Sequence, residues 1–138
     1  MIPTLDDRTL DDDHLELQRL VEAFADGGPA HAKDALDALH AHAARHFEAE
    51  DADLRRMKGG NAECHVDEHA AVLASLREVR ALMDDPAREA AANERMLAAL
   101  VAELRRWLPV HVGEMDRALA AFRFREKTGG ASVRIARR

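Results

Sequence analysis

Residues 46–69 read HFEAEDADLRRMKGGNAECHVDEH, and this stretch carries the pattern that decides the fold. His46 and Glu50 are four residues apart at its start, and His65 and His69 are four residues apart at its end. Side chains at positions i and i+4 lie on one face of an α-helix, so each pair points in one direction. Two glycines separate the pairs. The stretch therefore predicts two consecutive helices that direct three imidazoles and one carboxylate towards a shared centre.

The flanking sequence predicts one further helix on each side. The first has an apolar stripe at three- and four-residue steps that contains one histidine: Leu10, His14, Leu17, Val21 and Phe24. The last has a similar stripe: Ala90, Asn93, Leu97, Leu100, Leu104, Trp107 and His111. Four long helices joined by short loops predict an all-α, up-down-up-down antiparallel four-helix bundle.

Local signals predict where these helices begin and end. The Asp11-Asp12-Asp13 cluster is expected to cap the first helix, which Gly27-Gly28-Pro29 ends. The second is expected over about residues 30–57, with Gly59-Gly60 closing it and Asn61 opening the third. Asp84-Asp85-Pro86 predicts a boundary in which the proline is the first residue of the fourth helix.

Length and composition favour one domain of the all-α class. The chain has 138 residues, 4% aromatics and no Tyr, and no stretch alternates with a period of two. The single Cys64 excludes an internal disulfide and suggests a reducing compartment. The acidic N-terminus is unlike a signal peptide, and no apolar run approaches the roughly 18 residues of a membrane span. We therefore expect a cytoplasmic protein without a membrane span.

Charge is distributed unevenly along the chain. The net charge is −6, but residues 123–138 carry six basic side chains and one acidic side chain. The acidic body argues against nucleic acid as a partner. We expect a short N-terminal arm, a bundle over residues 1–122, and a basic C-terminal tail over residues 123–138. The tail is predicted to be a solvated terminus, with docking onto a protein partner or an anionic surface as the alternative.

Seven side chains form the candidate metal site: His14, His46, Glu50, His65, His69, His111 and Asp116. Five imidazoles buried together without a metal would leave polar nitrogens unpaired, and their protonation would add repulsion. Metal coordination removes that cost, so these residues predict a metal site, with transition metals and iron above all suited to the donors.

The step from His111 to Asp116 is five residues, which is not a same-face spacing on a regular α-helix. Pro109 and Gly113 flank His111 closely, so we expect a kink or a π-bulge that brings both side chains to one centre. Glu114, three residues after His111, is the rival for the position of Asp116.

The set resembles the hemerythrin family, particularly its bacterial single-domain members. The resemblance rests on His14, HFEAE at 46–50, HVDEH at 65–69 and WLPVHVGEMD at 107–116, and it covers about residues 10–120. It implies two iron ions with a solvent-derived oxo or hydroxo bridge and O₂ as ligand. One iron would be held by three histidines and the other by two, and two carboxylates would bridge them: respectively His65, His69 and His111; His14 and His46; Glu50 and Asp116.

The resemblance implies a non-heme diiron protein that binds O₂ reversibly for carriage, storage or sensing. The candidate apolar lining of the O₂ site is Leu17, Phe24, Phe47, Leu100, Leu104 and Trp107. We expect a binding protein rather than an enzyme. The alternatives are a diiron enzyme that reduces peroxide or nitric oxide, and an iron-handling protein that uses the same centre.

A zinc protease is a further interpretation of HVDEH, with His65 and His69 on zinc and Glu68 as general base. It leaves the other five candidate ligands unexplained, and the chain is short for a protease domain.

Overall fold

The chain folds into four long antiparallel helices, the fourth of which contains a π-helical turn. The computed structural model describes residues 2–57, 59 and 61–129. Its α-helices are α1 Arg8–Asp26, α2 Ala32–Leu54, α3 Asn61–Met83, α4 Ala90–His111 and α5 Arg117–Lys127. A 3-10 turn, Pro29–His31, precedes α2, and the π turn, Val112–Asp116, joins α4 to α5 without a break. The expected all-α up-down-up-down bundle is confirmed.

The core lies along the apolar stripes of these helices. α1 packs against α2 and α4, and α2 also packs against α3. The largest buried apolar side chains include Leu10, Leu36, Leu39, Phe47, Leu54, Leu76 and Leu119. Full burial of such a side chain contributes about 1.5–3 kcal/mol to the free energy of unfolding. In the described part of the chain, no helix has the length and apolarity needed to cross a membrane.

The first helix begins earlier than the Asp11-Asp12-Asp13 cluster predicted. Asp7 is the N-cap, and its carboxylate accepts the backbone N–H of Leu10 at 3.1 Å. Asp11 lies inside the helix, where its carboxylate accepts the backbone N–H of Leu5 at 2.9 Å. The predicted cap was therefore wrong. Both Leu5 and Leu10 are buried, so the packing of the N-terminal arm decides where the helix starts.

The prediction that Pro86 opens the fourth helix was also wrong. The carboxylate of Asp85 accepts the backbone N–H of Ala87 at 2.9 Å, and its carbonyl accepts that of Arg88 at 3.2 Å. These bonds hold the segment as a turn, and α4 begins only at Ala90.

The second helix ends at Leu54, three residues before the predicted end. Gly59 has a φ of 143°, a conformation that glycine adopts most readily, whereas Gly60 lies outside the described residues.

The division predicted at residue 122 falls within α5, which continues to Lys127. Arg56 donates two hydrogen bonds to Glu126, at 2.6 and 2.7 Å, and Arg123 donates one to Asp53 at 2.6 Å. The start of the predicted tail therefore packs on the C-terminal end of α2. Residues 130–138 lie outside the described residues, so the role of the tail stays a prediction.

Candidate metal centre

The seven predicted ligand side chains come together in one buried place, near the end of α2 and the start of α3. None of them is more than 5% exposed. Every long helix contributes: α1 gives His14, α2 gives His46 and Glu50, α3 gives His65 and His69, and the fourth helix gives His111 and Asp116. The i,i+4 spacing on α2 and α3 explains why each of those helices directs two side chains to the same place.

Three of the imidazoles form what we call the three-imidazole group: His65, His69 and His111. The Nε2 atom of His111 lies 3.1 Å from the Nε2 atoms of both His65 and His69. Nitrogens that bind one ion at about 2.1 Å and at right angles to each other are about 3.0 Å apart. The three nitrogens are therefore spaced as ligands of a single ion.

The remaining imidazoles, His14 and His46, form the two-imidazole group. Their ring centroids are 5.2 Å apart and the rings meet edge to face. The Nε2 atom of His46 lies 2.6 Å from Oε2 of Glu50, and the Nε2 atom of His14 lies 2.9 Å from Oδ2 of Asp116. This group reaches the same two carboxylates as the three-imidazole group does.

Each carboxylate turns one oxygen to each group. Oε1 of Glu50 lies 3.2 Å from Nε2 of His69, while its Oε2 faces His46. Oδ1 of Asp116 lies 2.8 Å from Nε2 of His65, while its Oδ2 faces His14. Two carboxylates that are shared in this way have the geometry of bridges between two neighbouring positions.

The π turn brings Asp116 to the site. Its five residues, Val112–Asp116, place Asp116 beside His111, with Oδ1 at 3.2 Å from Nε2 of the imidazole. Asp116 is 1% exposed, whereas Glu114 is exposed. The predicted distortion of the fourth helix is confirmed, and Asp116 rather than Glu114 lies with the other candidate ligands.

The charges of the site reinforce one another. Burial alone would lower the pKa of His14 and of His65, but Asp116 and Glu50 outweigh it and raise each pKa to about 9. Burial alone would raise the pKa of Glu50, but the surrounding imidazoles hold it well below its usual value. The pKa of Asp116 is lowered in the same way. Both carboxylates therefore stay ionised and available to a cation.

The site contains buried polar atoms that hydrogen bonds do not satisfy. Among the described residues, these include both ring nitrogens of His14, both carboxylate oxygens of Glu50 and Oδ1 of Asp116. Several lie close to one another, but without the angles of hydrogen bonds. Two sets of ligand atoms lie within 4.8 Å of one another: Glu50, His65, His69, His111 and Asp116; and His14, His46 and Glu50. Such donors, aimed at common points, fit a metal centre.

Three further carboxylates hold the outer nitrogens of the imidazoles, and sequence reasoning missed this role. Asp13 lies 3.1 Å from Nδ1 of His46, Asp51 lies 2.8 Å from Nδ1 of His69, and Glu68 lies 2.8 Å from Nδ1 of His111. A proton on each Nδ1 leaves the Nε2 lone pair free for a metal.

The sequence does carry a signal for these acids. Each lies directly beside a candidate ligand on its own helix: Asp13 beside His14, Asp51 beside Glu50, and Glu68 beside His69. Adjacent helical residues point about 100° apart. Such an acid therefore turns away from its neighbour and towards a ligand on the next helix.

An apolar cavity is partly lined by the two aromatic rings that stack on the three-imidazole group. Four of the six predicted lining residues lie in its wall: Leu17, Phe47, Leu104 and Trp107. The other two, Phe24 and Leu100, are buried in the core away from it. The volume in this cavity that is open to the centre of a water molecule is about 10 Å³, which is close to the minimum that holds one water. The ring of Phe47 stacks on His69 with centroids 4.0 Å apart, and that of Trp107 stacks on His111 at 4.3 Å.

Comparison with known proteins agrees with this geometry. The model of the hemerythrin HHE cation binding domain matches residues 5–122. A bacteriohemerythrin of Ralstonia nicotianae is 37% identical over 119 residues, which cover 86% of this chain and 82% of that protein. The chain belongs to the hemerythrin family. Membership of the hemerythrin family implies a non-heme iron centre, and the buried cluster could bind a metal. No solved structure was found to match the chain.

Proposed function

We propose that the protein binds two iron ions in this centre and uses them to bind O₂ reversibly. The observation that carries the proposal is the way Glu50 and Asp116 lie between the two groups. Each carboxylate turns one oxygen to the three-imidazole group and the other to the two-imidazole group. The two-imidazole group has one protein ligand fewer. It therefore leaves room on its metal for a small molecule.

In this proposal, the three-imidazole group would hold one iron and the two-imidazole group the other, and both would share the carboxylates Glu50 and Asp116. The two ferrous ions, when bound, supply the electrons that O₂ binding requires. The ionised carboxylates neutralise part of the charge of two cations, which imidazoles alone would leave uncompensated.

The chain itself orients the imidazoles and limits access to the centre. Asp13, Asp51 and Glu68 accept the Nδ1 protons of three imidazoles and so hold their Nε2 atoms towards the metals. Phe47 and Trp107 cover the three-imidazole group on the cavity side. A small apolar cavity admits a neutral diatomic molecule at lower cost than an ion.

The experiment that tests the proposal measures metal content and optical spectra of the reduced protein before and after exposure to air. We expect two irons per chain and an absorption band that appears with O₂ and disappears when O₂ is removed. One zinc per chain would overturn the diiron proposal. Irreversible oxidation by air would overturn reversible binding and favour an enzyme that reduces peroxide or nitric oxide.

A matched pair of acids sharpens the metal part of the test. Asp116→Asn removes one of the shared carboxylates, so we expect the affinity for iron to fall by about 10-fold or more. Glu114→Gln changes an exposed acid two residues away and should leave the iron content unchanged. Equal effects of both substitutions, or a larger effect of Glu114→Gln, would contradict the assignment of Asp116.

A further inference from the structure

We infer that Glu68 is a positioning residue that fixes two things at once: the orientation of the His111 imidazole and the position of Trp107 in the cavity wall. Glu68 lies on α3, and both of its partners lie on α4. The inference concerns the candidate metal centre. It rests on the proposed function only for the test that measures iron, and the other test uses the metal-free protein.

The geometry joins both partners to a single oxygen atom. The indole Nε1–H of Trp107 donates to Oε1 of Glu68 at 2.6 Å, and Nδ1 of His111 lies 2.8 Å from the same oxygen. An ionised carboxylate oxygen can accept two donors, and such charge-assisted bonds are shorter and stronger than those between neutral groups. The Glu68 side chain is 31% exposed, so it reaches this position from the edge of the bundle.

The bond to His111 decides which ring nitrogen faces the centre. With its proton on Nδ1, the imidazole presents the Nε2 lone pair, and that atom lies among the nitrogens of the three-imidazole group. Without Glu68, the Nδ1–H would have no acceptor on this side, and the ring would be freer to turn. Glu68 therefore acts on the metal through His111.

The bond to Trp107 decides the shape of the cavity. The indole stacks on His111 at 4.3 Å and meets the ring of Phe47 edge to face at 6.1 Å. Trp107 and Phe47 both line the cavity. Oε1 of Glu68 thus holds both the His111 imidazole and the Trp107 indole in the cavity wall. A substitution of Glu68 should therefore disturb both side chains together.

Asp51 provides the matched control. Its carboxylate holds Nδ1 of His69 at 2.8 Å, as Glu68 holds His111, but the indole hydrogen bond of Trp107 goes to Glu68. Asp51→Asn should therefore affect a ligand imidazole without affecting the tryptophan.

The first test uses the metal-free protein and is independent of iron and O₂. Trp107 is the only tryptophan of the chain, so the indole N–H resonance in an NMR spectrum and the intrinsic fluorescence each report on one residue. Glu68→Ala should move the indole proton resonance upfield and shift the emission maximum. Glu68→Gln keeps an acceptor oxygen and should give an intermediate shift, while Asp51→Asn should leave both signals in place. Unmoved indole signals in Glu68→Ala would overturn the inference.

The second test follows iron in the loaded protein. Loss of a group that orients a metal ligand typically weakens metal affinity about 10- to 100-fold, so Glu68→Ala should release iron to a chelator faster by about that factor. Glu68→Gln should lie between it and the parent, which a purely structural defect would not reproduce. Trp107→Phe removes the indole donor but keeps an aromatic ring, and iron release should change less than in Glu68→Ala. Equal release rates for the parent and Glu68→Ala would overturn the action on His111.

The two tests also separate the two proposals. If the parent protein binds no iron, the proposed function fails, but the indole signals still decide whether Glu68 positions Trp107. If iron binds and the indole signals do not respond to Glu68, only the present inference fails.

Discussion

The three-imidazole group comes from α3 and the fourth helix, whereas the two-imidazole group comes from α1 and α2. In the first, two of the three imidazoles have a carboxylate at Nδ1, namely Asp51 and Glu68. In the second, His46 has Asp13, but Nδ1 of His14 is buried without a hydrogen-bond partner. One half of the centre is thus oriented by more protein groups than the other. Under the proposed function, this difference would let the first half retain its metal while the second half exchanges small molecules.

The largest effect is expected from Glu50, one of the two acids that both halves share. Glu50→Gln keeps the shape of the side chain but removes its charge, so we expect both halves to lose iron. The variant should also lose the stabilisation that bound metal gives, which is about 2.7 kcal/mol when free metal is at one hundred times the dissociation constant. Iron analysis and the melting temperature with and without iron measure this.

Glu48→Gln is the control for this variant, because Glu48 lies two residues earlier on α2 and is exposed. It should retain full iron content. If Glu50→Gln still bound two irons per chain, the carboxylate would not be a bridge.

A smaller effect is expected from substitutions that remove one imidazole from one half. His14→Ala should empty the two-imidazole group and leave about one iron per chain on the other. His69→Ala should lose metal from the three-imidazole group and also lower the melting temperature of the metal-free protein, because His69 is fully buried and stacks on Phe47. Unchanged iron content and melting temperature in His69→Ala would refute the site, and loss of both irons in either variant would refute the division between the halves.

The smallest effect is expected from pH on the stability of the metal-free protein. Each half contains one histidine with a raised pKa, namely His14 and His65. His14 and His65 each have a pKa raised from 6.5 to about 9 by Asp116 and Glu50, against the opposing effect of burial. Because the folded pKa lies above the unfolded one, this contribution to stability is fully present below about pH 6.5 and is lost as the pH rises through about 9. The melting temperature of the metal-free protein should therefore fall between pH 7 and pH 9.5.

Iron must displace these protons, so its uptake at pH 7.5 should release at least about two protons per chain, one each from His14 and His65. Titration with ferrous iron in weakly buffered, oxygen-free solution measures the release, and His14→Ala should reduce it by about one. Uptake without proton release would contradict the protonation of the metal-free site.

Periodicity predicted which side chains come together inside the bundle. The i,i+4 pairs at 46–50 and 65–69 and the stripes of α1 and α4 placed five imidazoles on inward faces, and the structure buries all five. The π turn was predictable because a five-residue step conflicts with regular helical winding, and Gly113 lies within it. These features depend on the number of residues between side chains on one helix, and that number can be read directly from the sequence.

The features that were missed depend on contacts between elements. Asp7 and Asp11 are both capping residues by type, and the choice between them follows from the burial of Leu5 and Leu10. Pro86 remains in a turn because of hydrogen bonds made by Asp85. Glu68 looked like a neighbour of His69, yet its partners lie on α4. No spacing within a single helix reports such pairings.

The π turn also sets the register of everything that follows it. On a regular α-helix, a side chain five residues beyond His111 would point about 140° away from it. If Val112–Asp116 instead wound as a regular α-helix with all five residues kept, Asp116 and the whole of α5 would be rotated by about 100°. Arg123 and Glu126 would then turn away from Asp53 and Arg56, to which they are bonded at the end of α2. The π winding of this one turn therefore aligns both the shared carboxylate Asp116 and the attachment of the C-terminal helix to the end of α2.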